Sequence, residues 1–291
     1  MKSVLVVGET GQLARELARA AWAPEVELTF AGREIIDLAR PETATAVVGA
    51  LKPDVVVNAA AYTAVDKAEN DEEHAFLVNR DGPAALARAA TAAGAPLIHV
   101  STDYVFEGTK TGPYVEDDPV APVSVYGRSK EAGERAVREA APRHIILRTA
   151  WVYSPFGNNF VKTMLKYGAE REEMRVVADQ HGCPTAAADI AAAIVRLAAA
   201  EAGWGTFHYS GAGPTTWHGF AEAIFAGAAA RGFKVPARVA AIGTADYPTP
   251  AARPANSVLD CTKIARVHGI VARDWREALE GCLDTLIGSR I

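Results

Sequence analysis

Val4-Leu5-Val6-Val7 runs directly into Gly8-Glu9-Thr10-Gly11-Gln12-Leu13-Ala14. Four consecutive apolar residues make a short buried strand, and two glycines three apart permit a tight turn into a helix. Such a turn gathers backbone N–H groups and the positive end of a helix dipole at one point, where an anion such as phosphate is stabilised. Ala14 stands where a third glycine would complete a Gly-x-x-Gly-x-x-Gly pattern, and it is small enough to keep helix and strand close. Glycine spacing alone fits a bare strand-to-helix turn equally well. The rest of the chain decides between the two.

Outward from this turn, short β-branched runs over 4–7, 26–30, 55–57, 97–101 and 145–148 alternate with helical patterns over 13–21, 41–51, 72–92 and 124–140. That alternation predicts βαβ units, and runs without polar alternation are what a parallel sheet covered on both faces requires. The expected fold is α/β, a Rossmann-type doubly wound parallel sheet. A glycine turn after the first strand of such a series points to a dinucleotide, with Gly8 and Gly11 at its phosphates. After Trp151 glycines and prolines punctuate shorter elements. We therefore expect a dinucleotide-binding domain over 1–150 and a smaller, mainly substrate-binding α/β domain over 151–291. Residues 247–254 hold three prolines and predict an ordered loop over the cleft.

The net charge of −5 argues against a protein that grips nucleic acid, which needs a basic face. The three cysteines, Cys183, Cys261 and Cys282, contain no Cys-x-x-Cys pair, so neither a zinc site nor a disulfide framework is expected. The apolar start is too short for a signal-peptide core or a membrane span. The alanine-rich stretch over 186–202 is broken by Asp189, Arg196 and Glu201. A cytoplasmic protein without a membrane partner is the expectation.

Tyr126-Gly127-Arg128-Ser129-Lys130 carries the chemistry. Tyrosine and lysine four apart on a helix share a face, so an ammonium near the phenol is expected to lower its pKa from about 10. Such a tyrosine can deliver a proton to a carbonyl oxygen as hydride reaches the carbon. Ser101-Thr102-Asp103 ends a strand, where ligands of open parallel sheets gather, and a hydroxyl there can bond both a substrate carbonyl and the tyrosine. Cofactor choice rests on Thr29-Phe30-Ala31-Gly32-Arg33-Glu34. Arg33 is placed to bind a 2′-phosphate, while Glu34 could serve a ribose hydroxyl instead. NADPH is expected, with NADH working less well.

Gly8-x-x-Gly11, Asn58-Ala59-Ala60-Ala61, Ser101-Thr102-Asp103-Tyr104-Val105-Phe106 and Tyr126-x-x-x-Lys130 together resemble the extended short-chain dehydrogenase/reductase superfamily. Within it, the chain is similar to the dTDP-4-dehydrorhamnose reductase family. The similarity lies in Ala64-Val65-Asp66-Lys67-Ala68-Glu69, Arg148-Thr149-Ala150-Trp151-Val152-Tyr153, Gly157-Asn158-Asn159-Phe160, Thr215-Thr216-Trp217-His218 and Tyr247-Pro248-Thr249-Pro250-Ala251-Ala252-Arg253-Pro254. The resemblance implies NAD(P)H-dependent reduction of the C4 ketone of dTDP-4-dehydro-6-deoxy-L-mannose to dTDP-L-rhamnose. By position it implies Tyr126 as proton donor, Lys130 on the nicotinamide ribose and Thr102 adjusting the tyrosine. It further implies Gly11, Gln12 and Leu13 at the pyrophosphate, Asp37 and Leu38 at the adenine, and Ala60, Ala61 and Tyr62 on the adenosine side. Thr102, Asp103 and Trp151 would contact the sugar, and Arg253 and Asn256 the nucleotide diphosphate.

Some members of that family are dimers joined through a metal held by acidic residues. Glu16 and Asp189 are the remnants of such a set here, but alanines fill 186–188. No metal is expected, while a homodimer stays open. His99, inside an apolar run, is read as a core residue. His181 and Cys183 lack partner ligands, and Trp204, Trp217 and Trp275 are read as packing anchors. Two other functions share the fold: an epimerase or dehydratase that retains NAD, and a non-catalytic subunit like the regulatory subunit of methionine adenosyltransferase.

Overall fold

A computed structural model describes residues 2–288. Strand and helix alternate through β1 (Lys2–Val7), α1 (Gln12–Leu17), β2 (Val26–Ala31), α2 (Pro41–Leu51), β3 (Val55–Asn58), α3 (Val65–Ala68), α4 (Glu72–Phe76), α5 (Gly82–Ala92), β4 (Leu97–Thr102), α6 (Val125–Ala140) and β5 (His144–Thr149). Shorter pieces follow: β6 (Val152–Tyr153), α7 (Phe160–Glu170), β7 (Glu173–Val177), β8 (His181–Gly182), β9 (Thr185–Ala186), α8 (Ala187–Ala198), β10 (Gly205–His208), β11 (Thr215–Thr216), α9 (Trp217–Ala230), β12 (Arg238–Ile242), α10 (Thr262–His268) and α11 (Trp275–Gly288).

Six strands form one sheet in the order β10-β5-β4-β3-β1-β2, every pairing parallel. The unbroken apolar runs have the cause the sequence suggested. On β1, Val4 and Val6 face a core shared with Leu17 of α1, Ile190 and Ile194 of α8 and Ile264 of α10. Leu5 and Val7 face a second core with Val48 of α2, Leu86 of α5 and Val137 of α6. Because β2 and β3 flank β1 on opposite sides, the chain reverses direction across the sheet there. A crevice opens at the carboxyl ends of the strands where the order reverses.

The sixth strand, β10, and the helix α8 both come from beyond residue 150, so the sheet is completed by the half that was read as a separate unit. α10 joins the first core through Ile264, and most of the remaining elements after residue 150 build a third core, in which Tyr153, Val161, Phe220, Ile224, Trp275 and Leu283 are buried. There β12 pairs in parallel with β7.

Two helix expectations change. The helix expected over 13–21 stops at Leu17, whose carbonyl accepts the Trp22 indole N–H at 2.8 Å and the Ala20 N–H of a single tighter turn at 3.3 Å. The helix expected over 72–92 is interrupted by a π-helical turn at Leu77–Asp81. Pro83 lies just beyond it in the first turn of α5, and proline has no N–H to give a preceding carbonyl. The wide turn also presses the Asn79 carbonyl against α6, where Gly133 leaves no room for a β-carbon.

Candidate active site

The crevice is a cleft of about 710 Å³. Gly8 has φ +111°, a conformation that only glycine adopts without strain, and its backbone runs against Ala59 and Ala60. No atom lies within 4 Å of where a β-carbon of Gly11 would stand. The loop therefore presents open backbone, as a diphosphate requires, and Gly8, Gly11, Gln12 and Leu13 all line the cleft. Glu9 and Thr10 of the same loop line it as well. The donor set and the open cradle fit a dinucleotide.

One end of the cleft lies between β4 and α6. Ser124 caps α6, its hydroxyl accepting the Gly127 N–H at 3.1 Å, and Glu69 accepts the Val125 N–H at 2.9 Å. Gly127 has no space for a side chain against the Tyr104 carbonyl. With its start fixed so closely, the helix brings Tyr126 and Lys130 to the cleft beside Thr102 and Asp103. Lys130 is buried, and its Nζ donates to the Val100 carbonyl at 2.7 Å. Burial lowers its pKa to about 8, against the pull of the Glu134 carboxylate.

The tyrosine departs from expectation. Burial pushes the Tyr126 phenol up to about 12; the Thr102 hydroxyl pulls it down and the Asp103 carboxylate pushes it up. Burial thus outweighs the lowering expected from the lysine, whose ammonium donates to the Val100 carbonyl. Thr102 itself donates to Asp103 Oδ1 at 2.9 Å. Burial raises Asp103 to about 6, opposed by the hydroxyls of Ser257 and Thr102, and its Oδ2 has no hydrogen-bond partner.

The adenosine end is built differently. Gly32 follows β2, and a β-carbon there would stand 2.5 Å from Glu9 Oε2 and 3.3 Å from Glu34 Oε1. Arg33 is 73% exposed, its Nε 3.6 Å from Asp37 Oδ2. Arg33, Asp37, Leu38, Ala60, Ala61 and Tyr62 all line the cleft. Tyr62 is held by Asn79, whose side chain accepts the Tyr62 N–H at 2.9 Å and donates to its carbonyl at 3.0 Å.

On the substrate side Trp151 lines the cleft with φ +47°, a left-handed backbone that is strained for an aromatic residue. Its indole stacks on Trp217 at 3.6 Å, and Gly182 leaves space for it where a side chain would collide. Trp217 thus packs behind Trp151, and Trp275 is buried in the third core.

Arg253 and Asn256, expected at the diphosphate, do not line the cleft. Arg253 Nη2 donates to Asp66 Oδ2 at 2.8 Å, and its Nη1 to the Ala251 carbonyl at 3.1 Å. The Asn256 amide is committed to the carbonyls of Lys110 and Gly112 and to the Val258 N–H. Both side chains hold loops to one another. No residue of 247–254 lines the cleft either, so the loop expected over it is pinned beside it by Asp66.

His99 is a buried core residue bonded to Asn58 at 3.0 Å, with burial holding its pKa far below the ordinary value. Glu16 accepts from Ser154 at 2.6 Å, and Asp189 pairs with Arg273 at 2.8 Å. Among the described residues no group of three His, Cys, Asp or Glu side chains could hold a metal ion. No helix among them is long and apolar enough to cross a membrane.

Sequence reasoning missed Glu9, Thr10, Asn158 and Ile190 as lining residues. Glu9 and Thr10 lie inside the glycine turn and were legible as neighbours of its phosphate site. Asn158 lies in the Gly157–Phe160 stretch of the resemblance without being assigned to the cleft, and Ile190, from the distant half, carried no local signal.

A family model described as the RmlD substrate binding domain matches residues 1–287. A dTDP-4-dehydrorhamnose reductase of Sinorhizobium fredii (strain NBRC 101917 / NGR234) is 48% identical over 282 residues, covering 94% of each chain. The crystal structure of a dTDP-4-dehydrorhamnose reductase from Clostridium acetobutylicum ATCC 824 superposes with a TM-score of 0.92 at 38% identity, covering 98% of this chain and 99% of that one. That of Bacillus anthracis str. Ames, in complex with NADP, gives 0.92 at 36% identity, covering 98% and 100%.

Proposed function

The chain belongs to the RmlD substrate-binding-domain family, and from that premise we propose that its cleft uses NADPH to reduce the C4 ketone of dTDP-4-dehydro-6-deoxy-L-mannose, giving dTDP-L-rhamnose. The observation that carries the reading is the convergence of Thr102, Tyr126 and buried Lys130 at one end of a cleft whose other parts suit a dinucleotide.

When held by the glycine turn and Lys130, NADPH would supply the hydride for the ketone carbon. With its pKa near 12, Tyr126 holds its proton at neutral pH and can release it to the developing alkoxide. Thr102 orients the phenol. An ammonium has three donors, and the Val100 carbonyl occupies one, so Lys130 keeps two for ribose hydroxyls. The free Oδ2 of Asp103 accepts a sugar hydroxyl, and the Trp151 indole supplies an apolar wall for the sugar ring. NADH serves less well. A cytoplasmic enzyme, free of nucleic-acid and membrane partners and open to homodimer formation, is the setting that composition and family suggest.

The test is to supply purified protein with dTDP-4-dehydro-L-rhamnose and NADPH, follow the absorbance of the reduced nicotinamide and identify the sugar product. Stoichiometric loss of NADPH with dTDP-L-rhamnose formed is expected. An epimerase or dehydratase cycling its own NAD would change the sugar without consuming NADPH, and a non-catalytic subunit would leave both unchanged; either result overturns the proposal.

A further inference from the structure

Glu134 lies one helical turn beyond Lys130 on the same face of α6, and it has no solvent-exposed surface. Four donors converge on its carboxylate. Ser101 Oγ of β4 donates at 2.6 Å, Arg148 of β5 donates from Nε at 2.9 Å and Nη2 at 2.7 Å, and Arg138 of α6 donates from Nη1 at 3.1 Å. Ser101 and Arg148 are register partners across the β4–β5 ladder, so the carboxylate is clamped over the centre of the sheet. Three successive residues at the end of β4 thus meet residues on three turns of α6. Val100 holds Lys130, Ser101 holds Glu134, and Thr102 reaches Tyr126.

A buried carboxylate is costly unless fully satisfied, and for the fold alone apolar residues in place of the whole Glu134–Arg148 pair would often serve as well. The position of this one, next to a lysine that must donate to a cofactor, suggests a purpose. We propose that Glu134 is a positioning residue for the reduction: clamped by Ser101 and Arg148, its carboxylate keeps the Lys130 ammonium charged and seated on the Val100 carbonyl. The proposal rests on the role given to Lys130 above.

Burial alone drives a lysine toward its neutral form, and Glu134 is the charge that opposes this at Lys130. Burial also disfavours the Glu134 anion, but the Arg148 guanidinium, the Ser101 hydroxyl and Arg138 hold its pKa below the ordinary carboxylate value. The other groups facing the pair are known. His99 on β4 is kept neutral by burial and by Lys130, and His208 on β10, 3.4 Å from Arg148 Nη1, is lowered to about 3 by burial and by Arg148. Neither titrates between pH 6 and 9. Glu116 accepts the Arg148 Nη1 at its carbonyl and the His208 N–H at its carboxylate, on the far side of Arg148 from the lysine.

Removing the carboxylate should lower the Lys130 pKa, so the loss of function on raising the pH should begin earlier. NADPH binding, followed by nicotinamide fluorescence without sugar, and kcat with sugar are measured from pH 6 to 9. Three variants are compared with the parent: Glu134→Gln, Glu134→Asp and the doubly neutral Glu134→Gln/Arg148→Gln. In Glu134→Gln the alkaline limb of both profiles should move down by about one pH unit or more, with the sugar KM little changed. Glu134→Asp should keep the limb near its parental position. The double variant removes the buried guanidinium that Glu134→Gln would leave unpaired, and it should keep the shift. A double variant with the parental profile would show that Glu134 only neutralises Arg148, and a uniform loss at every pH would show a merely structural role; either overturns the proposal. The binding limb needs no sugar, so a shift there without turnover would overturn the substrate reading and leave this one standing.

Discussion

The two ends of the cleft are built on opposite principles. Between β4 and α6 the groups around the chemistry are buried and held by the core: Lys130 on a carbonyl, Thr102 on Asp103, and Glu134 behind them on four donors. At the end of β2 Arg33 is 73% exposed and leans on Asp37 across 3.6 Å, while the carboxylates of Glu9 and Glu34 stand against the adjacent Gly32. Proton delivery tolerates little displacement, so its groups are fixed by the core. Gripping a ribose or a phosphate tolerates movement, and surface side chains suffice. Substitutions should therefore act through geometry at one end and through single contacts at the other.

The largest effect expected is at Tyr126. Tyr126→Phe removes one hydroxyl at the cleft surface, so turnover should fall by about 10² to 10⁴ while NADPH affinity stays near parental. Stopped-flow reduction and fluorescence titration separate the two. Near-parental turnover would mean that water or another group delivers the proton, and the locked end would lose its reason for being locked.

Trp151→Ala comes next and should do two things at once. The indole lines the cleft and also stacks on Trp217, so both sugar KM and thermal stability should suffer. A half-buried aromatic in a stacked pair should contribute about 2 to 3 kcal/mol, below the range for a fully buried one. Calorimetry checks the stability, and NADPH affinity should be unchanged. A purely kinetic effect would mean that the Trp217 stack contributes nothing to the fold.

Gly133→Ala tests the locked end without touching a polar group. The added methyl meets the Asn79 carbonyl, so α6 and the π-helical turn must separate, at a cost of about 1 to 3 kcal/mol. Because Asn79 also donates to Ser129 Oγ at 3.0 Å and holds Tyr62, the displacement should reach the cleft and reduce kcat as well. A stable variant with unchanged kcat would show that this end is less rigid than its contacts suggest.

What could be read beforehand follows the same divide. The five strands, the glycine turn and the Tyr126–Lys130 face were legible because each depends on spacing within one segment. The sixth strand was not: Gly205–His208 is four residues between glycine-rich turns, and only pairing with β5 makes it a strand. Asp103 was legible as a strand-end residue, but the Ser257 hydroxyl that bonds it comes from far along the chain. The expected lowering of the Tyr126 phenol is outweighed by burial, and spacing does not say how deeply the phenol will be buried. Spacing puts the lysine on the right face, but it does not say that Val100 will capture the ammonium. The hydrogen bonds of Arg253 and Asn256 to Asp66, Lys110 and Gly112 depend on which loops meet in the fold, which position along the chain does not give.

The smallest effect expected, and the one that bears most on the loose end, is at Arg33. A guanidinium there can pair with a 2′-phosphate through charge-assisted bonds, but it must leave Asp37 to do so. The ion pair it gives up is exposed and long, so the exchange should favour the phosphate by only about 1 kcal/mol. Arg33→Ala should therefore raise the KM for NADPH several-fold and leave that for NADH nearly unchanged, with kcat and thermal stability near parental. Because the contribution is electrostatic and solvent-exposed, the parental preference for NADPH should also shrink as salt is raised, and the variant should lack that dependence. If Arg33→Ala weakens both cofactors equally, the guanidinium serves the loop through Asp37 rather than the phosphate. The carboxylates of Glu9 and Glu34 at Gly32 would then be left to set the choice, which would favour a ribose hydroxyl over a phosphate at that end.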